Sequence, residues 1–251
     1  MKIRSLALAS LFAVPAAMYA QSATSVIGYT PGTGFAAGFT NAATALGAPS
    51  SGGAITPFAP AFSKSQLVSI GAGGSLTLQF ANPILNDPSN PYGLDFIIFG
   101  NTFFATTGGN ANGSLGGNNT GSTRVEVSLD DINWFTLNPA LAPTVDGIFP
   151  TDGTGNPYQP VDPSLTAGSF TGQNLAGVRS LYAGSAGGTG FDIGWAQDGD
   201  GDSINLASVD YIRIDVLSGK SEIDAVTAVP EPATAALALL GASVFFIRRK
   251  I

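Results

Sequence analysis

The segment Leu94-Asp95-Phe96-Ile97-Ile98-Phe99-Gly100-Asn101 is apolar at nearly every position and only as long as one strand. A strand that is apolar on both faces needs a covering layer on each side, so it belongs in the middle of a layered β-structure. Asp87-Pro88-Ser89-Asn90-Pro91-Tyr92-Gly93, dense in turn formers, delivers the chain to it. Other segments alternate apolar and polar residues, as strands with one wet face do. They cover residues 25–29, 66–70, 75–80, 124–128, 134–137, 191–196, 209–216 and 222–226. Gly71-Ala72-Gly73-Gly74 predicts a hairpin between the second and third of these, and Leu129-Asp130-Asp131-Ile132-Asn133 a tight turn between the fourth and fifth. Residues 41–46 have room for one helical turn, ended by Gly47-Ala48-Pro49. Residues 106–122, mostly Gly, Asn, Ser and Thr, predict a mobile loop with no packed role, and residues 139–173 predict irregular chain pinned by Tyr158 and Phe170. Short strands, long loops and almost no helical periodicity make the expected fold all-β, a two-sheet antiparallel jelly-roll β-sandwich.

Charge restricts what such a sandwich can hold. Between residues 21 and 228, sixteen acidic residues face five basic ones, Lys64, Arg124, Arg179, Arg213 and Lys220, leaving a net charge of −11. A chain this acidic has no means of neutralising phosphates, which excludes nucleic acid as a partner. It suits solubility outside a cell or the holding of cations. There is no Cys and no His. Disulfides are therefore excluded, and so are Ser-His-Asp and Cys-His nucleophiles. Glycoside chemistry on paired carboxylates needs an acid and a base held about 5 to 10 Å apart. The only Glu residues in this stretch, Glu126 and Glu222, fall on polar positions of alternating strands, which are expected to face solvent. No catalytic residue is expected.

One constellation points to a ligand. In Asp198-Gly199-Asp200-Gly201-Asp202-Ser203, carboxylates at alternate positions separated by Gly can curl round a hard cation such as Ca²⁺. The segment departs from an EF-hand loop at Ser203, where Gly is needed, and at Val209, where a bidentate Glu is needed. Two readings stand: a Ca²⁺ loop between strands, with Asp198, Asp200 and Asp202 as ligands and Asp192 or Asp95 as distal ones, or a solvated acidic turn. Trp134, Trp195, Tyr158 and Tyr182 are candidates for stacking on sugar rings in a carbohydrate-binding module, while Trp134 and Trp195 also fit sheet packing. The Thr residues follow no fixed repeat, which argues against an ice-binding array.

Both ends read as addresses. Lys2 and Arg4, the apolar residues 5–17 and Met18-Tyr19-Ala20 form a secretory signal peptide, residues 1–20, with cleavage expected after Ala20 and Ala17 as the alternative. Residues 21–228 are then the sandwich domain. At the other end stand Val229-Pro230-Glu231-Pro232, an apolar run at residues 233–247, and Arg248-Arg249-Lys250. The run is about 15 residues, short of the roughly 20 that span a bilayer comfortably, so it suits a short transmembrane helix in a thin membrane. The basic residues beyond it resist translocation and keep that end cytoplasmic. Pro230 and Pro232 disfavour helix, predicting an extended, exposed segment open to a processing enzyme.

These three parts, in this order, resemble the PEP-CTERM sorting signal of Gram-negative bacteria, whose bearers look like substrates of exosortase, a membrane protease-transferase. The resemblance covers residues 229–251 and implies export, a transient inner-membrane anchor, processing by an exosortase-like partner, and delivery to the cell surface or an extracellular polysaccharide matrix. The strand, Ser-x-Asp turn and Trp strand at residues 124–137 resemble those of discoidin-like, carbohydrate-associated jelly rolls. The order of strands from Leu94 to Val226 also resembles that of cell-surface proteins carrying the same signal. No activity carries over from that likeness; for an exported domain without a catalytic constellation, the expected role is structural or adhesive.

Overall fold

A computed structural model describes residues 20–117, 121–147 and 149–231. In chain order the strands are β1 (Gln21–Ser22), β2 (Ser25–Thr30), β3 (Val68–Gly71), β4 (Gly74–Leu85), β5 (Phe96–Gly100), β6 (Phe103–Thr107), β7 (Asn110–Gly116), β8 (Ser122–Ser128) and β9 (Phe135–Leu137). Helix α1 (Leu175–Tyr182) follows, then β10 (Thr189–Phe191), β11 (Ala196–Gln197), β12 (Ser208–Ser218) and β13 (Lys220–Ala228). The chain is all-β in character, and its two main sheets are antiparallel throughout. One sheet runs β1-β13-β5-β10, with β3 also paired to β13; the other runs β11-β9-β8-β12-β4-β2.

The sheets share one core. Val68, Ile70, Phe96, Ile98, Ile223 and Val226 of the first meet Leu76, Leu78, Val125, Val127, Ile212, Ile214 and Val216 of the second. β12 shows why its sequence alternates: Ile212, Ile214 and Val216 are buried, while Tyr211, Arg213 and Asp215 lie between them on the wetter outer face. β5 is apolar on both faces because both are covered. Phe96 and Ile98 enter the shared core, and Ile97 and Phe99 pack outward with Ala186, Ala225 and Val229. The outer cover approaches so closely that a Cβ on Gly188, itself at φ +79°, would lie 2.5 Å from Ile97 Cγ2.

Four expectations are corrected. β3 and β4 do not form a hairpin with each other: β3 pairs with β13, and β4 pairs with β12 and β2. Gly71 to Gly74 carries the chain from one sheet to the other, and Gly219, at φ +67°, does the same between β12 and β13. The segment expected to be a mobile loop holds the end of β6, the turn through Gly108 and Gly109 at positive φ, and all of β7, so it closes the hairpin β6-β7. That hairpin helps build a second core, where Phe104 and Ala111 meet Phe149, Val161, Phe170, Val178 and Tyr182. Helix α1 is an addition to the expected elements; Asn174 caps it by accepting the Gly177 N–H at 2.9 Å. Residues 191–196 are not one strand. β10 stops at Phe191, Asp192 caps the 3₁₀ turn Ile193–Trp195, and β11 begins at Ala196.

At residues 42–45 the expected single helical turn is a 3₁₀ turn, capped by Asn41. No helix among the described residues is long and apolar enough to cross a membrane. Residues 1–19 of the expected signal peptide, residues 1–20, and the apolar run of residues 233–247 lie outside the described residues.

Candidate functional site

A cleft of about 470 Å³ lies at the start of β13. Its walls are Ala36, Phe39, Phe58, Pro60, Phe62 and Phe103, and its polar side is Asn101, Lys220 and Glu222. Phe62 stands at 79% exposure. Its backbone is nonetheless fixed, because Gln66 Oε1 accepts the N–H groups of Phe62 and Ser63 at 3.2 and 3.0 Å. The Phe104 N–H donates to Pro57 O at 2.8 Å, tying the Phe58 loop to β6. Glu222 accepts from Asn101 Nδ2 through one oxygen and from Lys220 Nζ, at 3.1 Å, through the other. Glu222 and Asn101 are only 6% and 8% exposed.

That burial corrects the expectation that Glu126 and Glu222 face solvent. Glu126 is 7% exposed, covered by Arg213, which donates to Glu126 Oε2, and by Arg124. Alternation locates both residues on the intended faces but says nothing of what loops and long side chains lie over them.

A second polar centre lies where β13 ends. Asp95 is fully buried and accepts from Asp87 N at 3.1 Å, Asn90 Nδ2 at 3.0 Å and Ile193 N at 2.8 Å. Burial pushes its carboxyl up to about 7 in spite of those donors. Asp192 is hydrogen-bonded to Asp95 and is also raised, chiefly by burial. Glu231 is hydrogen-bonded to Asp87; burial first, then the negative charge of Asp87 and Asp95, pushes it up to about 7. Asp87 itself is held below its ordinary value by the hydroxyl and N–H of Ser89. The expected exposed sorting motif is therefore corrected in part. Val229 is 5% exposed and donates to Asp95 O at 2.8 Å, and Pro230 and Glu231 are half-buried. Pro232, Arg248, Arg249 and Lys250 lie outside the described residues.

The acidic loop folds on itself. Asp198 Oδ1 accepts the N–H groups of Asp200 and Asp202, each at 3.0 Å, and Asp202 O accepts from Asp198 N at 3.0 Å. Asp200 and Asp202 are exposed. Asp192 and Asp95 meet each other. Among the described residues, no three acidic side chains are gathered closely enough to hold a metal ion.

None of the four aromatic candidates lines the cleft. Tyr182 is corrected to a core residue: it is 1% exposed, and its hydroxyl donates to Pro150 O at 2.8 Å. Trp195 packs half-buried against the main core. Tyr158 is half-buried, its N–H donating to Asn156 Oδ1 at 3.0 Å. Trp134 lies half-buried under the Arg213 guanidinium, 4.4 Å from its ring centre, with Tyr211 edge-on at 6.5 Å. The cleft escapes sequence reading because its residues come from separated stretches of chain, and no spacing joins them. No family model matches the chain, and neither does any curated protein.

Proposed function

We propose that this chain is an exported protein sorted through residues 229–251 by an exosortase-type enzyme, and that its β-sandwich has a structural or adhesive role at the surface or in an extracellular polysaccharide matrix. The observation that carries the reading is the sequence Pro230-Glu231-Pro232, apolar run and Arg248-Arg249-Lys250, set directly after the last strand of an acidic all-β domain. A jelly-roll, discoidin-like winding of the two sheets belongs to the same proposal. Replacing Pro230 and Pro232 with Ala tests it. The expected result is uncleaved precursor in the membrane fraction, and normal maturation of that variant sinks the proposal. Mass spectrometry of the mature native protein should find a C-terminus between Val229 and Pro232.

A second reading is a calcium-dependent carbohydrate-binding module, favoured by the aromatic cleft; its calcium part rests on the spacing of Asp198, Asp200 and Asp202 in the sequence alone. A cation bound only by the native state must raise its melting temperature. An unchanged melting temperature in Ca²⁺ and in chelator removes the calcium requirement.

A further inference from the structure

We infer that the cleft between the Phe39, Phe58 and Phe62 loops and the start of β13 binds a neutral, polyhydroxylated sugar ring. It deepens the carbohydrate-binding reading of this cleft, without its calcium, and rests on the surface or matrix reading only for where such a ligand is met.

The volume, about 470 Å³, falls in the range of small-ligand sites, which run from roughly 300 to 1,000 Å³. The walls are phenylalanine rings with no polar atom of their own, so they complement an apolar face. Opposite them are a carboxylate and an ammonium already set by each other, with Lys220 Nζ 3.1 Å from Glu222 Oε1. Glu222 also accepts from Asn101 Nδ2 through its other oxygen; a carboxylate has about four lone-pair sites and an ammonium donates three bonds, so both keep capacity after these contacts. A purely apolar guest would strip the remaining water from Lys220, whose side chain is 22% exposed, without replacing its hydrogen bonds, which is costly for a charged group. An anionic guest meets Glu222 and a domain of net charge −11. A cationic guest finds Glu222 already neutralised by Lys220, so the polar side offers it no unpaired counter-charge. A pyranose offers what remains: an apolar C–H face for the rings, and neutral hydroxyls that each donate and accept. Phe62 is fixed in its backbone and exposed in its side chain, so only the rotamer of its ring is left for the ligand to order.

The test uses the mature protein in native gels cast with neutral polysaccharides (a β-glucan, a galactomannan and a dextran) and with anionic polygalacturonate. Retardation by at least one neutral polymer and none by polygalacturonate is expected. Phe62→Ala, at an exposed position, should leave the fold intact and weaken binding of the matching oligosaccharide about tenfold or more in calorimetry. Glu222→Gln keeps the shape and should weaken binding as well. Ile132→Ala, equally exposed but not in the cleft, should change nothing. No retardation by any neutral polymer, retardation by polygalacturonate alone, or full binding by both Phe62→Ala and Glu222→Gln overturns the inference. Normal processing at residues 229–232 without glycan binding would sink the cleft and leave the sorting proposal standing; glycan binding by an unprocessed chain would do the reverse.

Discussion

The N–H of Val229 donates to the carbonyl of Asp95 at 2.8 Å, so the final strand is still bonded to the sheet one residue before Pro230. Glu231 then lies hydrogen-bonded to Asp87 and within the negative field of Asp95. Two carboxyls can share a hydrogen bond only while one keeps its proton, and ionising both sets like charges against each other. Glu231→Gln removes that charge and keeps a donor for Asp87. The variant should therefore melt higher than the parent at pH 8, by about 2 to 4 °C for a gain of about 1 kcal/mol, and should equal it at pH 5. Proteolysis around residue 230 should slow in parallel at pH 8. An equal change in melting temperature at both pH values would mean that charge is not the cause. For the proposed sorting reaction, the consequence is that the enzyme acts on a segment the domain partly holds.

The domain as a whole should lose stability as pH rises from about 4 to about 7. Asp95 and Glu231 are pushed up to about 7 and Asp224 to about 6, each chiefly by burial, and Asp192 is raised for the same reason. Asp224 is 2% exposed and accepts from the N–H and hydroxyl of Ser50 at 2.8 and 2.9 Å. With folded pKa values above the unfolded ones, the folded state binds more protons through this window, so stability is fully present below the unfolded pKa and falls as pH climbs through the folded one. For fully buried Asp95 the loss is on the order of 4 kcal/mol, since its proton is held roughly a thousandfold more tightly than in the unfolded chain and each tenfold is about 1.4 kcal/mol. Asp87 and Asp152 are displaced the other way and oppose it only below their ordinary range. Thermal melts at half-unit steps of pH check this. Asp95→Asn should flatten the profile between pH 5 and 8, and an unchanged slope would remove Asp95 as its source.

Strands with one wet face are legible because each carries its own record of burial. β8, β9 and β12 have arginine, threonine and aspartate on outer positions, and the pairing of β8 with β9 follows the turn at residues 129–133. β5 is legible for the opposite reason, since no polar position interrupts Phe96 to Phe99. The link from β3 to β4 misleads because alternation is the same whether a glycine turn returns to the same sheet or crosses to the facing one. The β6-β7 hairpin is hidden by composition: ladder hydrogen bonds need no side chains, and Phe104 and Leu115 suffice to anchor it to the second core. Asp95 stands out as a carboxylate in an apolar run. Its meeting with Asp192, and that of Asp87 with Glu231, join residues distant in sequence, which no local pattern records.

Tyr182 supplies a test of the second core. Tyr182→Phe keeps the edge-on ring contacts to Phe149 and Phe170 and leaves Pro150 O without its donor. Denaturant unfolding should show a loss of about 1 to 2 kcal/mol, with glycan binding untouched. A loss of glycan binding equal to that of Phe62→Ala would show that the second core and the cleft are one unit.

Arg213 holds two groups on the outer face of the β8-β12 pair. Its guanidinium donates to Glu126 from Nη2 and from Nε, the latter at 2.7 Å, and lies over Trp134. Arg213→Ala removes both contacts, leaving the nearly buried Glu126 with Thr136 Oγ1 at 3.2 Å and Arg124 at 3.7 Å. A carboxylate that loses its main partner and stays shielded is costly, so unfolding should show a loss of about 2 to 3 kcal/mol. Arg213→Lys keeps the charge but not the planar fork, and should recover less than half of that. Trp134 fluorescence should move to the red in both variants as the ring loses its cover. If the paired variant Arg213→Ala with Glu126→Gln is as unstable as Arg213→Ala alone, the cost comes from uncovering Trp134 and not from stranding Glu126; recovery of most of the loss assigns it to the carboxylate.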